Sequence, residues 1–434
     1  MAGHPTKLST NGPVESVFDR VPVAARENTN DADVAVLIGD KDEDLPKDFS
    51  LVKGGLAYQL FLRTGLSDAE LEPPYRRMIA ITCIAWLPLL LLSVLIGRAY
   101  SGVDITFFKD IENHVRFLVA LPILLSAETL IQRLLSPRIE NFVTRKIVRE
   151  ADLPRFRAAV ASAHRMRDST AIEIALLLIV LAFGAWFYGN VIAAAASVTS
   201  SWYATPDNAR WNLTIAGYWL TFVSLPLFQF FILRWYYRIV IWFVFLWRIS
   251  RLDLDLEATH SDRVAGLGFL NTCTYSFGYG LTAQGTLLSG YIAGQVMRFG
   301  DDPRSYKLEA AGILILVVGS VLGPLVLFYP KLITAKWEGG GKFSQLASRY
   351  VAGFDHKWLQ GRQPQDETLL GTSDIQSLAD LGNSHSVIRE MRTVPFGVSD
   401  VMYLAAMVLA PLLPLLLFIF SLEEIVERLV KILM

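Results

Sequence analysis

The sequence predicts an all-α, polytopic membrane protein with about seven transmembrane helices. Hydrophobic residues make up 53% of the chain and charged residues 19%, and the mean hydropathy is +0.38, which is more apolar than a soluble domain of this length. Seven stretches approach the roughly 20 apolar residues that cross a hydrocarbon core of about 30 Å. The two cysteines lie in or beside apolar stretches, so neither a disulfide framework nor a thiolate metal site is indicated.

The predicted spans are, in order, Ile79–Gly97, Val115–Leu135, Ala171–Val198, Leu213–Leu233, Cys273–Val296, Ile313–Tyr329 and Val401–Phe420. The fourth continues through residues 234–247 with apolar and aromatic side chains. This continuation is too short to cross again, so it predicts a long fourth helix extending into the cytoplasm. A broken eighth span over 235–247 is the alternative.

The segments around the spans predict the domain organisation. Residues 1–48 are rich in Asp, Asn, Lys and Pro, which is typical of a disordered tail. Residues 49–75 predict an interfacial helix, and 76–335 a membrane domain with the first six spans. Residues 336–397 predict a small helical cytoplasmic layer, with a turn at Gly339–Gly341. Residues 398–434 hold the last span and an amphipathic tail.

Basic residues predict the orientation. Arg76 and Arg77 precede the first span, and eight Arg or Lys residues crowd the segment between the second and third spans. Because basic loops stay on the cytoplasmic side, we expect a multi-pass protein of the inner membrane with a cytoplasmic amino terminus. Seven spans would place the carboxyl terminus outside.

A polar stretch at residues 250–270, here called the hinge, separates the fourth and fifth spans. If it is helical, Asp253, Glu257 and His260 share one face, and this ligand set suits a divalent cation such as Mn²⁺, Mg²⁺ or Zn²⁺. Salt bridges to neighbouring arginines are the structural alternative. A third interpretation is that His260, Asp262 and Arg263 form a gate or an ion site.

Two carboxylates, Glu128 and Glu173, lie within predicted spans, where ionisable groups are costly and are therefore functional candidates. Both lie near the predicted cytoplasmic ends of their helices. The structural alternative is that Glu128 pairs with Arg133 or reaches the membrane interface. Arg234 and Arg238 flank a run of aromatic residues, a pattern typical of lipid anchoring at the inner interface.

The fifth span carries a stripe of small and hydroxyl residues that includes Thr282 and Ser289, with Gln284 nearby. Small residues four apart predict close packing, here on the sixth span. The alternative is that Thr282, Gln284 and Ser289 line a polar pathway, since transporters place substrates beside glycine-interrupted helices. Interhelical hydrogen bonds are sufficient to explain the uncharged polar residues of the spans, namely Asn190, Gln229, Gln284 and Gln295.

These patterns favour a transporter or ion channel with a pathway along the fifth span, formed with Glu128 and Glu173 and gated at the hinge. A metal-dependent membrane enzyme acting on a lipid headgroup, with phosphate held by Arg389 and Arg392, is the first alternative. A scaffold or sensor that recruits a cytoplasmic protein is the second.

Enzyme activity is not the favoured prediction. No cofactor is predicted beyond the alternative divalent metal, and the predicted partners are the lipid bilayer and further copies of the chain. Nucleic acid is not expected, because basic residues alternate with acids and no binding module is present.

Overall fold

The computed structural model describes residues 49–66, 68, 74–187, 200–205, 212–362, 369 and 372–418, which all belong to one compact unit, residues 46–434. The predicted tail 1–48 and the carboxyl-terminal residues 419–434 lie outside the described residues. The all-α prediction is confirmed, since the described chain is helical apart from loops and one pair of two-residue strands, β1 (Ala204–Thr205) and β2 (Asn212–Leu213).

The helices are α1 (Gly55–Arg63), α2 (Pro74–Leu95), α3 (Ile111–Thr144), α4 (Leu153–Arg167), α5 (Thr170–Phe187), α6 (Ile215–Ile249), α7 (Phe269–Phe299), α8 (Pro303–Val326), α9 (Tyr329–Phe354), α10 (Ser373–Glu390) and α11 (Val398–Phe418).

Five helices are long and apolar enough to cross a bilayer, namely α2, α3, α6, α8 and α11. They indicate a membrane-embedded protein. The count of seven stays a prediction, because the third predicted span runs beyond the described part of α5 and the fifth, α7, is rich in Gly, Ser, Thr and Gln. The long fourth helix is present, since α6 is one helix of 35 residues and no break occurs at 235–247.

Helix α7 is the centre of the bundle. It packs against α3, α8 and α11, and more than half of its residues are buried. A helix surrounded by protein needs no continuous apolar surface for lipid, which explains how so polar a helix occupies the core. Its small residues allow close approach: a Cβ at Gly285 would collide with the Val408 carbonyl oxygen, and one at Gly290 would lie 2.9 Å from Val115 Cβ.

The partner of the small-residue stripe differs from the predicted sixth span. Gly278 and Gly285 contact α11, the last helix, and Thr282 Oγ1 lies 3.6 Å from Met407 Sδ, also on α11. Packing between these two helices is non-local, so the spacing predicted the close contact but not its partner.

Two helices widen at matching positions. A π-helical segment spans Val115–Ala120 in α3 and another spans Leu220–Ser224 in α6. Each is followed by a Leu-Pro pair that ends in Pro122 or Pro226. A proline has no N–H to donate and its ring crowds the carbonyl four residues earlier, so the turn before it opens.

Two sets of contacts involve the described loops. In the first, which we call the loop end, Arg298 pairs with Asp110 and residue 105 bridges residue 201. In the second, which we call the helical end because it includes α9, Val148 bridges Leu254 and the Lys336 ammonium donates to the Met391 carbonyl. Here the predicted turn at Gly339–Gly341 is wrong, because α9 continues through it. A Cβ at Gly339 would collide with Ala258 Cβ, so glycine there allows α9 to approach the hinge.

Candidate functional site

A cavity of about 720 Å³ lies between α3, α6, α7 and α8, and we call it the α7 cavity. Its polar lining residues are Asp110, Glu112, Asn113, Arg116, Tyr203, Gln229, Tyr236, Gln284, Tyr291, Gln295 and Arg298. Its apolar lining residues are Leu220, Leu225, Phe228, Leu287, Leu288, Phe299, Ile313, Leu316 and Val317. This volume is in the range of small-molecule binding sites.

The two π-helical segments contribute directly to this cavity. Arg116 lies in the α3 segment and Leu220 in the α6 segment, and both line the wall. Widened turns displace the helix surface locally and often occur at functional sites. The prolines that open the turns therefore help to shape the cavity.

Four charged side chains and one amide at the loop end of the cavity form what we call the mouth network. Its members are Asp110, Glu112, Asn113, Arg116 and Arg298. Arg116 donates to Glu112 at 2.6 Å and to the Asn113 side-chain oxygen at 2.7 Å. Arg298 donates to Glu112 at 3.0 Å and to Asp110 at 3.3 Å. With two arginines and two carboxylates, the network is formally neutral.

Deeper in the cavity, two amide side chains each have one polar atom without a partner in the described chain. Gln229 Oε1 on α6 and Gln284 Nε2 on α7 are buried and have no hydrogen-bond partner in the described chain. An unsatisfied buried polar group costs about 1–3 kcal/mol, so these amides are suited to a ligand or waters that carry both donors and acceptors. Gln284 and Arg298 lie 14 positions apart on α7, which places the amide about 21 Å below the mouth at 1.5 Å per residue.

A second polar cluster, the buried ion cluster, joins α2, α3, α5 and α6. Its members are Arg77, Glu128, Glu173, Arg234 and Arg238, each at least 95% buried. Glu128 accepts from Arg238 at 2.7 Å and lies 3.3 Å from Arg77 and 3.7 Å from Arg234. Arg234 also lies 3.4 Å from Glu173.

The buried ion cluster also fixes α1. The Glu173 carboxylate accepts from the backbone N–H of Leu56 and of Ala57, at the start of α1, where a negative charge is favourable. Arg234 donates to the Gly54 carbonyl at 3.1 Å, and the Phe61 ring covers the Arg77 guanidinium at 5.5 Å. The cluster therefore ties the predicted interfacial helix to the bundle.

This geometry corrects two expectations. Arg234 and Arg238 do not anchor lipid: they are 5% and 3% exposed and bind carboxylates inside the protein. Glu128 pairs with Arg77, Arg234 and Arg238, and these partners come from two other helices. Neither Glu128 nor Glu173 lines the α7 cavity.

The hinge is not helical. α6 ends at Ile249 and α7 begins at Phe269, so the face that would have brought Asp253, Glu257 and His260 together does not form. Asp253 pairs with Arg149. Among the described residues no three His, Cys, Asp or Glu side chains lie close enough to hold a metal ion. The geometry therefore gives no support to the predicted metal site.

Asp262 organises the hinge instead. Its carboxylate accepts from the backbone N–H of Val264 at 2.8 Å, Gly266 at 3.1 Å and Gly268 at 2.8 Å, and His260 Nδ1 lies 3.0 Å from it. Burial raises the pKa of Asp262, but these N–H donors, with a smaller effect of His260, hold it below its usual range.

The hinge backbone is strained and in contact with the last helix connection. Arg263 and Ala265 have φ values of 57° and 54°, which non-glycine residues rarely adopt. The Arg263 side chain pairs with Glu390 at 2.8 Å, and its carbonyl accepts from the Arg392 N–H at 2.8 Å. The predicted gate residues His260, Asp262 and Arg263 thus lie together at the start of α7.

The predicted pathway residues of α7 lie on different faces. Gln284 lines the α7 cavity, whereas Thr282 contacts α11 and Ser289 is not among the lining residues. The mouth network was missed from the sequence. Its signal was the run of polar residues that opens the second span, but Arg298 joins it from α7, almost 190 positions later.

Comparisons with protein-family models, with curated proteins and with solved structures find no match for the chain. Its function is therefore inferred from geometry alone.

Proposed function

We propose that the protein is a membrane transporter whose substrate binds in the α7 cavity. The observation that carries this proposal is the pair of buried amide atoms without partners, Gln229 Oε1 and Gln284 Nε2, in a cavity within a bundle of apolar helices. Polar groups buried in the membrane without partners are expensive and mark substrate pathways. The proposal extends the predicted polar pathway near the fifth span.

In this proposal the hinge is the gate. It joins α6 to α7 directly, and Arg263 connects it to the residues that precede α11. A substrate that shifts α7 would therefore move Asp262 and Arg263, and the strained backbone at Arg263 and Ala265 is suited to a switch between two arrangements.

Glu128 and Glu173 have a positioning role in this proposal. They hold α6, which lines the cavity, against α2, α3 and α5 through the buried ion cluster. In this proposal Glu128 and Glu173 do not line the pathway, as the sequence predicts, but keep α6 in place as one wall of the cavity.

The test is flux in proteoliposomes that contain purified protein. The probes are Na⁺, K⁺, Cl⁻, choline, phosphoethanolamine and a headgroup-labelled phosphatidylethanolamine. Gln284→Leu removes the buried amide from the cavity, so we expect it to abolish whichever flux the wild-type protein supports. Gln376→Leu is the matched control, because Gln376 is exposed on α10, where its side chain donates to Asp380.

The proposal is contradicted if folded wild-type protein moves none of these probes. It is also contradicted if Gln284→Leu is as active as the wild type, since the amide would then have no part in substrate binding.

A further inference from the structure

We infer that the α7 cavity binds an amphiphile with a zwitterionic headgroup, which enters from the bilayer with its headgroup at the mouth network. This inference rests on the proposed function in one respect, namely that the bound amphiphile is a transported substrate. Binding itself is a separate property and is measured separately below.

The cavity is charged at one end, and its remaining walls are more apolar than polar. The mouth network provides ionic and amide groups, whereas the rest of the lining combines nine apolar residues, among them Leu220, Phe228, Leu288 and Val317, with six uncharged polar residues. A small hydrophilic solute would leave these apolar walls against water. A molecule with a polar head and an acyl chain satisfies both parts of the lining.

Apolar side chains form part of the cavity rim and are exposed. Phe299 and Leu316 line the cavity and are 68% and 66% exposed. On α8 the neighbouring Ile315 is 73% exposed, as expected for a helix surface that faces lipid. The rim therefore opens toward hydrocarbon, and an acyl chain reaches the cavity without crossing water.

Charge selects the headgroup class. The two arginines and two carboxylates of the mouth network already pair with each other, so the mouth has no net charge with which to attract an anionic headgroup. A zwitterionic headgroup offers a phosphate to the arginines and an ammonium to the carboxylates, which replaces each ion pair by an equivalent one.

The size of the cavity fits part of such a lipid. A volume of about 720 Å³ corresponds to roughly two dozen water molecules at about 30 Å³ each. This accommodates a headgroup with one chain, and the open rim allows a second chain to remain in the bilayer.

The experiment is native mass spectrometry of the full chain, reconstituted in equimolar phosphatidylethanolamine and phosphatidylglycerol and then extracted in mild detergent. We expect wild-type protein to retain one phosphatidylethanolamine in preference to phosphatidylglycerol. Leu288→Trp fills the cavity from a buried wall position, and Leu91→Trp is the control on the exposed face of α2. We expect retention to fall about tenfold in Leu288→Trp, equivalent to about 1.4 kcal/mol, and to be unchanged in Leu91→Trp.

Thermal unfolding checks that each variant is folded. If Leu288→Trp does not fold, Arg116→Gln provides a second comparison, because it removes one of the two mouth arginines that would hold the phosphate. The inference is overturned if phosphatidylglycerol is retained equally well, or if a folded cavity variant keeps as much lipid as the control.

The outcomes separate the two proposals. Selective lipid retention in a protein that shows no flux supports this inference and contradicts transport. Flux of choline or phosphoethanolamine without selective lipid retention supports transport and overturns this inference.

Discussion

Glu128 is surrounded by three guanidinium groups in a buried part of the bundle. Moving ions out of water costs several kcal/mol each, and only close pairing offsets this cost. Removal of this carboxylate would leave three buried arginines, on α2 and α6, with Glu173 as the single remaining carboxylate of the cluster.

Glu128→Gln tests this residue. We expect the free energy of unfolding to fall by about 3–5 kcal/mol, because breaking a buried pair leaves an uncompensated charge. The measurement is denaturant or thermal unfolding of purified protein. Glu390→Gln is the control, since its pair with Arg263 is more than half exposed on both sides and such pairs contribute about 1 kcal/mol or less. Equal effects of the two changes would refute the importance of the buried ion cluster.

Asp262 gives the hinge a defined pH dependence. Its pKa in the folded protein is below the usual value, so its contribution to stability is fully present above the usual pKa of about 4. It is lost only as the pH falls through the lower folded-state pKa.

We therefore expect amide protection at Val264, Gly266 and Gly268, corrected for intrinsic exchange rates, to be constant from pH 7 to about pH 5 and to decrease only below about pH 4. Asp262→Asn should reduce this protection at least about tenfold at neutral pH, since each hydrogen bond to a charged group contributes about 1.5–3 kcal/mol. Asp255→Asn, an exposed carboxylate of the same hinge, is the control. Unchanged protection in Asp262→Asn would show that the carboxylate does not organise this loop.

At the scale of elements, α7 is the helix that both lines the cavity and packs against the last helix, α11. One face contributes Gln284 and Leu288 to the cavity, while another packs on α11 through glycine. Close packing on one face limits how α7 moves, so displacement of this helix must involve α11 and the hinge together.

Gly285→Ala tests the close contact. Its methyl group would collide with the Val408 carbonyl oxygen, so we expect a loss of about 1–3 kcal/mol in unfolding free energy. The methyl group of Gly319→Ala on α8 meets no described atom within 4 Å, so this change should be neutral or stabilising by up to about 1 kcal/mol, because alanine favours the helix. A destabilising Gly319→Ala with a neutral Gly285→Ala would contradict the packing described for α7.

Elements that depend on local patterns were predictable from the sequence, and those that depend on distant partners were not. Apolar runs gave the five candidate spans and the long α6. Arg234 and Arg238 resemble a lipid belt in sequence, because their partner Glu128 lies more than 100 positions earlier. The shared face of Asp253, Glu257 and His260 depended on the condition that the hinge is helical, whereas Asp262 followed by Gly266 and Gly268 is a turn pattern.

At the scale of the described helical bundle, α7, which is rich in Gly, Ser, Thr and Gln, lies in the centre, and the apolar helices α3, α8 and α11 pack around it. This arrangement leaves a cavity that is polar at its mouth, contains unsatisfied amides and has an exposed apolar rim. A headgroup site, unsatisfied polar atoms inside the bundle and access from the bilayer are the three properties on which the proposal of an amphiphile transporter rests.

The central claim, that the α7 cavity is a substrate site, is tested most directly by an electron cryomicroscopy map of the protein in phosphatidylethanolamine nanodiscs. We predict elongated density in the α7 cavity, with its head at Arg116 and Arg298 and its chain leaving past Leu316. A map in which side chains close the cavity, or in which Gln229 and Gln284 bond only to each other, would contradict the claim.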